Sequence, residues 1–149
     1  MQEQETIIAD VEPLLKAAGI SLVELSLSRG RGEFRARAVV YSPAGTGTAE
    51  CAKAHRIIYP RLQVLLKTED PFLEVASPGI DRALKSAREC ALFVGKGVKL
   101  LLEHESEWIR GRLDGVDGKR LSLTTKEGPV TIEFDAVAKA RLDSTQEGD

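Results

Sequence analysis

The sequence predicts an α+β chain of two small domains. Residues 1–90 form an α-β-β-α-β unit, a three-stranded sheet with two helices on one face, and residues 91–149 form a small curled β-barrel. Three observations lead there. Apolar residues recur at helical spacing in two segments of the first half; between and after those segments they alternate; and beyond Gly95-Lys96-Gly97 the helical period is gone, replaced by short alternating runs separated by turn dipeptides.

Ile7, Ile8, Val11, Leu14, Leu15 and Ala18 fall on one stripe of a first helix, which Gly19 ends as a C-cap glycine would. From Ile20 the period becomes two, with Val23, Leu25 and Leu27 facing one way. Arg29-Gly30-Arg31-Gly32 supplies a reversal, and Phe34, Ala36, Ala38 and Val40 alternate in the returning strand. After the Ser42–Gly47 loop, Thr48 is the expected N-cap of a second helix, with Glu50 in its first turn. Its inward stripe is Cys51, Ala54, Ile58, Leu62 and Leu65. Pro60 interrupts it, predicting a kink or break near Arg56 to Tyr59. Phe72 to Ser77 gives the third strand. The sheet is expected to bury Val23, Leu25, Leu27, Phe34, Ala36, Val40, Leu73 and Val75 beneath the helices.

A short helical segment is possible over Ser86 to Val94. Strands are then expected at Val98–Glu103, Trp108–Val116, Arg120–Thr125, Val130–Phe134 and Ala138–Leu142, with Asp117-Gly118 and Glu127-Gly128 at hairpin turns. Five short strands at this spacing suggest a barrel of the SH3-like or Sm-like kind, with Gly111 allowing a sharp bend. The tail Ser144–Asp149 is polar and expected to fray.

Apolar residues make up 42% of the chain and charged ones 30%, the balance of a globular protein; with no long apolar run and an acidic N-terminus, a cytoplasmic location is expected. Two distant cysteines, Cys51 and Cys90, argue against a disulfide framework. Together with His55 and His104 they show no zinc-site spacing, so no metal and no cofactor are expected. Gly115-Val116-Asp117-Gly118 matches a KH-type clamp in glycine pattern, but it lies in a strand hairpin instead of between helices. No phosphate loop, nucleophile or acid/base arrangement is recognisable, so no catalytic residues are expected.

Net charge is −2, from 21 basic and 23 acidic residues, so there is no global basic footprint for nucleic acid. Arg29, Arg31, Arg35 and Arg37 nevertheless fall within one hairpin. They are either a local phosphate-binding edge or a solvated strand face paired with glutamates. Residues 91–149 hold nine basic and eleven acidic residues, which favours a basic partner protein there. Trp108, with Arg110 and Arg112 on its strand face, is either a contact anchor for that partner or a cover for one end of the barrel.

The least ordinary stretch is Ser77-Pro78-Gly79-Ile80-Asp81-Arg82. Pro78 and Gly79 predict a type II turn ending the third strand; Ser77, Pro78, Gly79, Asp81 and Arg82 then form either a rigid exit between domains or a contact surface. Leu73 to Arg82 resembles the motif Leu-Glu-Val-Ser-Ser-Pro-Gly-Ile-Asp-Arg-Pro-Leu of the ribosome maturation factor family RimP, departing at Ala76 and, just beyond, at Ala83. Val11-Glu12-Pro13-Leu14, Gly19, Cys51, Phe93-Val94-Gly95-Lys96, Ile132-Glu133-Phe134-Asp135 and Ala138 to Leu142 extend the resemblance along nearly the whole chain. Pro60 and the Ser42–Gly47 loop depart from it.

The resemblance implies an α/β domain followed by an SH3-like barrel. It also implies a non-catalytic, monomeric helper of bacterial small-subunit assembly whose partners are the immature 30S subunit, its rRNA and a small-subunit ribosomal protein. On that reading the arginine hairpin touches rRNA. The competing reading is an RNA-processing or RNA-modifying enzyme built from the same domain types.

Overall fold

A computed structural model describes residues 2–146; the end of the expected frayed tail, 147–149, lies outside them. The chain divides into two compact units, Met1–Pro78 and Gly79–Asp149.

In the first unit, α1 (Gln2–Ala17) ends where Gly19 adopts a φ of +81° and the amides of Gly19 and Ile20 bond back to the carbonyls of Lys16 and Leu15. Strands β1 (Ser21–Gly30) and β2 (Glu33–Tyr41) pair antiparallel about Arg31-Gly32, whose φ values of 52° and 79° make a turn of the twist-compatible primed kind. Helix α2 (Thr48–Leu66) leads to β3 (Phe72–Ala76), which pairs parallel with β2, giving the order β1-β2-β3. Ile7, Val11 and Leu15 of α1 join Ala54, Ile58, Leu62 and Leu66 of α2 over Leu22, Leu25, Leu27, Ala36, Ala38, Val40 and Leu73 in one core. Both helices therefore lie on one sheet face, with Phe34 and Val75 half-buried at its margin.

Three local expectations change. A β-bulge between Leu22 and Glu24 brings Leu22 into the helix-facing core cluster, while Val23, buried as expected, lies outside that cluster. Gly47, not Thr48, is the N-cap of α2; its extended backbone lets its N–H donate to Glu50 Oε1 at 2.7 Å. The helix runs on through Pro60 without a break. Pro60 and Arg56 are both exposed, so the carbonyl deprived of its donor lies on the solvent side of the helix.

The second unit holds a short helix α3 (Ala87–Ala91), N-capped by Ser86, whose Oγ accepts from the Glu89 amide at 3.0 Å. Strands β4 (Gly97–Leu102), β5 (Ile109–Asp117), β6 (Arg120–Thr125), β7 (Gly128–Glu133) and β8 (Val137–Leu142) form an antiparallel sheet in the order β7-β6-β5-β4-β8. No pairing joins β7 to β8 among the described residues, so the sheet is not closed by strand hydrogen bonds. Val98, Leu100, Leu113, Leu121, Leu123, Ile132 and Ala140 are buried apolar side chains of this sheet. Gly111 marks a close approach: a Cβ there would stand 2.5 Å from the Thr124 carbonyl oxygen on β6. Ser144–Gln146 form a 3-10 turn where fraying was expected.

The unit boundary falls at Pro78/Gly79, ahead of the one expected after residue 90, because the intervening segment is bonded into the second sheet. The Leu142 amide donates to the Arg82 carbonyl (2.9 Å), the Leu84 amide donates to the Ala140 carbonyl (2.8 Å), and Ala83 bridges Arg141 antiparallel.

Candidate functional site

The register of the first unit decides what each arginine of the hairpin meets. Arg29 stands directly opposite Phe34, with its guanidinium 4.8 Å from the ring centroid. Arg35 stands opposite Phe72 across the parallel pair, 5.2 Å from that ring, and Arg37 stands opposite Glu74. Arg31 occupies the tip in a left-handed conformation. Alternation carries Arg35 and Arg37 to the face away from Ala36 and the helices, as expected, whereas Arg29 shares the helix-side face with Phe34. The four arginines thus wrap the end of the hairpin instead of forming one flat row.

Of the four, Arg37 forms an ion pair, with Glu74 at 3.5 Å; both side chains are about half-exposed, a setting where a pair contributes under about 1 kcal/mol. Arg29 and Arg35 instead lie over aromatic rings. Such stacking fixes a guanidinium's plane while leaving its in-plane N–H groups directed outward, the geometry that receives a phosphate. Phe72 was not among the residues expected at this site, yet it is 54% exposed on the open sheet face. Its role depends on the parallel β2/β3 register, a long-range pairing with no local sequence signal.

Ser77 to Arg82 does not form a Pro-Gly type II turn. Gly79 does not have a positive φ, and the reversal is two residues later, closed by the Arg82 amide donating to the Gly79 carbonyl at 3.2 Å. Ser77 and Pro78 close the first unit and Gly79, Asp81 and Arg82 open the second. Asp81 contributes its backbone carbonyl, which accepts from Arg141 Nη1 at 3.0 Å. Arg82 reaches inward, and its Nε donates to Glu89 Oε1 at 2.6 Å with the side chains only 12% and 7% exposed. Ile80, in the turn, is an apolar side chain 81% exposed.

In the second unit Trp108 immediately precedes β5 and is half-buried, with Lys99 Nζ 5.1 Å from its ring. Arg110 donates to Asp143 Oδ2 at 2.8 Å, and Arg112 to Asp114 Oδ1 at 3.0 Å. The Thr145 hydroxyl, helped by Arg110, holds the Asp143 carboxyl below the usual range. The Thr124 hydroxyl and Arg112 do the same for Asp114. Both arginines therefore already serve carboxylates of their own unit. No grouping of three or more His, Cys, Asp or Glu able to hold a metal occurs among the described residues.

A family model described as the RimP N-terminal domain matches residues 10–81. The ribosome maturation factor RimP of Borrelia recurrentis (strain A1) is 34% identical over 139 residues, covering 91% of each chain. The chain belongs to the RimP family of ribosome maturation factors. The RimP proteins of Borrelia hermsii (strain HS1 / DAH) and Borrelia turicatae (strain 91E135) are 34% and 33% identical over 124 residues, in each case 83% of this chain and 85% of the relative. The RimP N-terminal match takes in the whole arginine hairpin, β3 and the turn through Asp81, so the candidate site lies inside the family's own domain.

Proposed function

We propose that this chain is a maturation factor that binds the immature small (30S) ribosomal subunit transiently and assists its assembly without catalysing a reaction. The name carried by its relatives supports the maturation role. The observation that carries the molecular reading is the hairpin end, where two arginines lie over rings and a third stands at the tip. The hairpin contacts small-subunit rRNA. The second unit is proposed as an SH3-like barrel, for which five antiparallel strands and the close β5/β6 approach at Gly111 speak. It takes a basic small-subunit ribosomal protein near Trp108, Arg110 and Arg112. The turn from Ser77 to Arg82 sets the exit from one unit into the other. No helix of the described residues is long and apolar enough to cross a membrane, and the proposed setting is the cytoplasm, with the chain a monomer.

The test is co-sedimentation with immature small subunits at several salt concentrations, comparing the native chain with the variant carrying Arg29→Gln, Arg31→Gln, Arg35→Gln and Arg37→Gln. Each lost phosphate contact lowers the salt slope by about 0.7 to 0.9, so the fourfold variant should bind more weakly with a slope shallower by up to about 3. Unchanged affinity and slope would reject the rRNA contact. A cofactor-dependent change in an rRNA fragment treated with pure protein would favour a modifying or processing enzyme instead.

A further inference from the structure

Beside the arginine hairpin, wholly inside the first unit, lies a cleft of about 390 Å³, at the small end of the ~300–1,000 Å³ range of small-ligand sites. Four of its nine lining residues are aromatic, and Glu33, Arg35 and Asp70 are charged. Phe34 from β2, on the helix-side face, and Phe72 from β3, on the open face, line it where their strands begin; α2 contributes His55 and Tyr59, which stack on each other with centroids 5.5 Å apart and planes 12° from parallel. Phe34 and Tyr59 are packed partly against the core, so these walls are held in place. Tyr59 donates its exposed hydroxyl to Asp70 Oδ1 at 3.0 Å, and this bond pushes the phenol's pKa up. Arg35 lies at the rim beside Phe72.

We propose that this cleft receives one unpaired base of a single-stranded RNA segment, stacked against its aromatic walls, with the adjoining phosphate on Arg35. This rests on the reading that the hairpin faces rRNA, and adds what part of the RNA is recognised. Aromatic walls with a guanidinium at the rim match the π-face and phosphate of a nucleotide, and a base inside a duplex has no free face to offer. Asp70 keeps acceptor sites beyond the one used by Tyr59, so it can take an exocyclic amino group of adenine, cytosine or guanine. Glu33, also on the wall, can do the same.

The alternative occupant, a cationic side chain of a basic protein, fits less well. The rings of Phe34 and Phe72 already carry Arg29 and Arg35, so an incoming cation meets like charge where a phosphate meets partners.

The test uses the full chain and two fluorescently labelled probes, a mixed-sequence single-stranded RNA nonamer and the same nonamer annealed to its complement. Phe72→Leu keeps an apolar side chain at a half-exposed position and removes the ring. It should weaken single-strand binding about tenfold while leaving duplex binding within about twofold, and Phe72→Tyr should restore single-strand binding. The proposal is overturned if the native chain does not bind the single strand, if Phe72→Leu leaves that binding unchanged, or if it weakens both probes equally. It is also overturned if an arginine-rich peptide, and not RNA, shows the dependence on Phe72. The contrast between probes is independent of subunit sedimentation. A fourfold arginine variant with unchanged subunit affinity and salt slope rejects the rRNA contact, while the Phe72 contrast alone decides the cleft.

Discussion

Replacing Arg82 by methionine should strand the Glu89 carboxylate inside the second unit. The two side chains are 12% and 7% exposed and meet at 2.6 Å, so neither charge is well hydrated and Arg82 offsets the buried Glu89 charge. Breaking a buried pair from one side typically costs about 3 to 5 kcal/mol. For a unit of this size each kcal/mol moves the midpoint by about 4 to 8 °C, so even the lower figure lowers it by about 12 °C or more. Removing both charges together, as Arg82→Met with Glu89→Met, should restore most of the loss, because an apolar pair of similar volume no longer carries a desolvation penalty. The assay is urea unfolding followed by the fluorescence of Trp108, the chain's single tryptophan, which lies in the same unit and reports on it specifically. A single-variant loss below about 1 kcal/mol, or a double variant no more stable than the single, would refute the view that Arg82 is held inward as a buried counter-ion.

Gly97→Ala should destabilise the second unit by about 1 to 3 kcal/mol, because its Cβ would collide with the Asp143 carbonyl oxygen and the Gln146 backbone; Trp108-monitored unfolding measures it. Asp10 accepts two bonds from Arg61, at 2.8 and 2.9 Å, and the guanidinium lowers its pKa below the usual 3.8. A lowered carboxyl pKa gives stability that is present above the unfolded value and lost as pH falls through the folded one. Asp10→Asn should therefore be less stable than the native chain at about pH 6, with the gap closing below about pH 4 in thermal melts. Burial, aided by the neighbouring Glu89 charge, pushes the Cys90 thiol up to about 12, so in the folded chain a thiol reagent near neutral pH should label half-buried Cys51 first and Cys90 only on unfolding.

What the sequence made legible was local. Gly19 as the end of α1, the Arg31-Gly32 reversal and the span of β6 each rest on neighbouring residues whose chemistry leaves few choices. The errors arise where distant pairing overrides a local signal. Pro78-Gly79 is a strong turn dipeptide, yet the reversal shifts to Gly79–Arg82 as Arg82 and Leu84 are bonded to β8, some sixty residues on. The same pairing moves residues 79–90 into the second unit. Leu22 and Val23 are both apolar and both buried, so alternation alone cannot say which one a bulge brings into the helix-facing cluster. The candidate site was half legible, since the clustering of Arg29, Arg31, Arg35 and Arg37 is visible in the chain. Phe72 beside Arg35 depends on a parallel register that no local pattern encodes.

The bonding of Arg82, Ala83 and Leu84 along β8 bears on the order in which the molecule is made. The first unit closes all its strand pairs within residues 21–76, so every partner has been synthesised before the second unit begins. The second unit opens with a segment, and continues with β4, whose partner strand β8 is the last to emerge. The arginine-bearing unit thus has every strand partner it needs before the second sheet has its last strand. The backbone of Arg82 gains its partner on β8, Leu142, only when that final strand arrives.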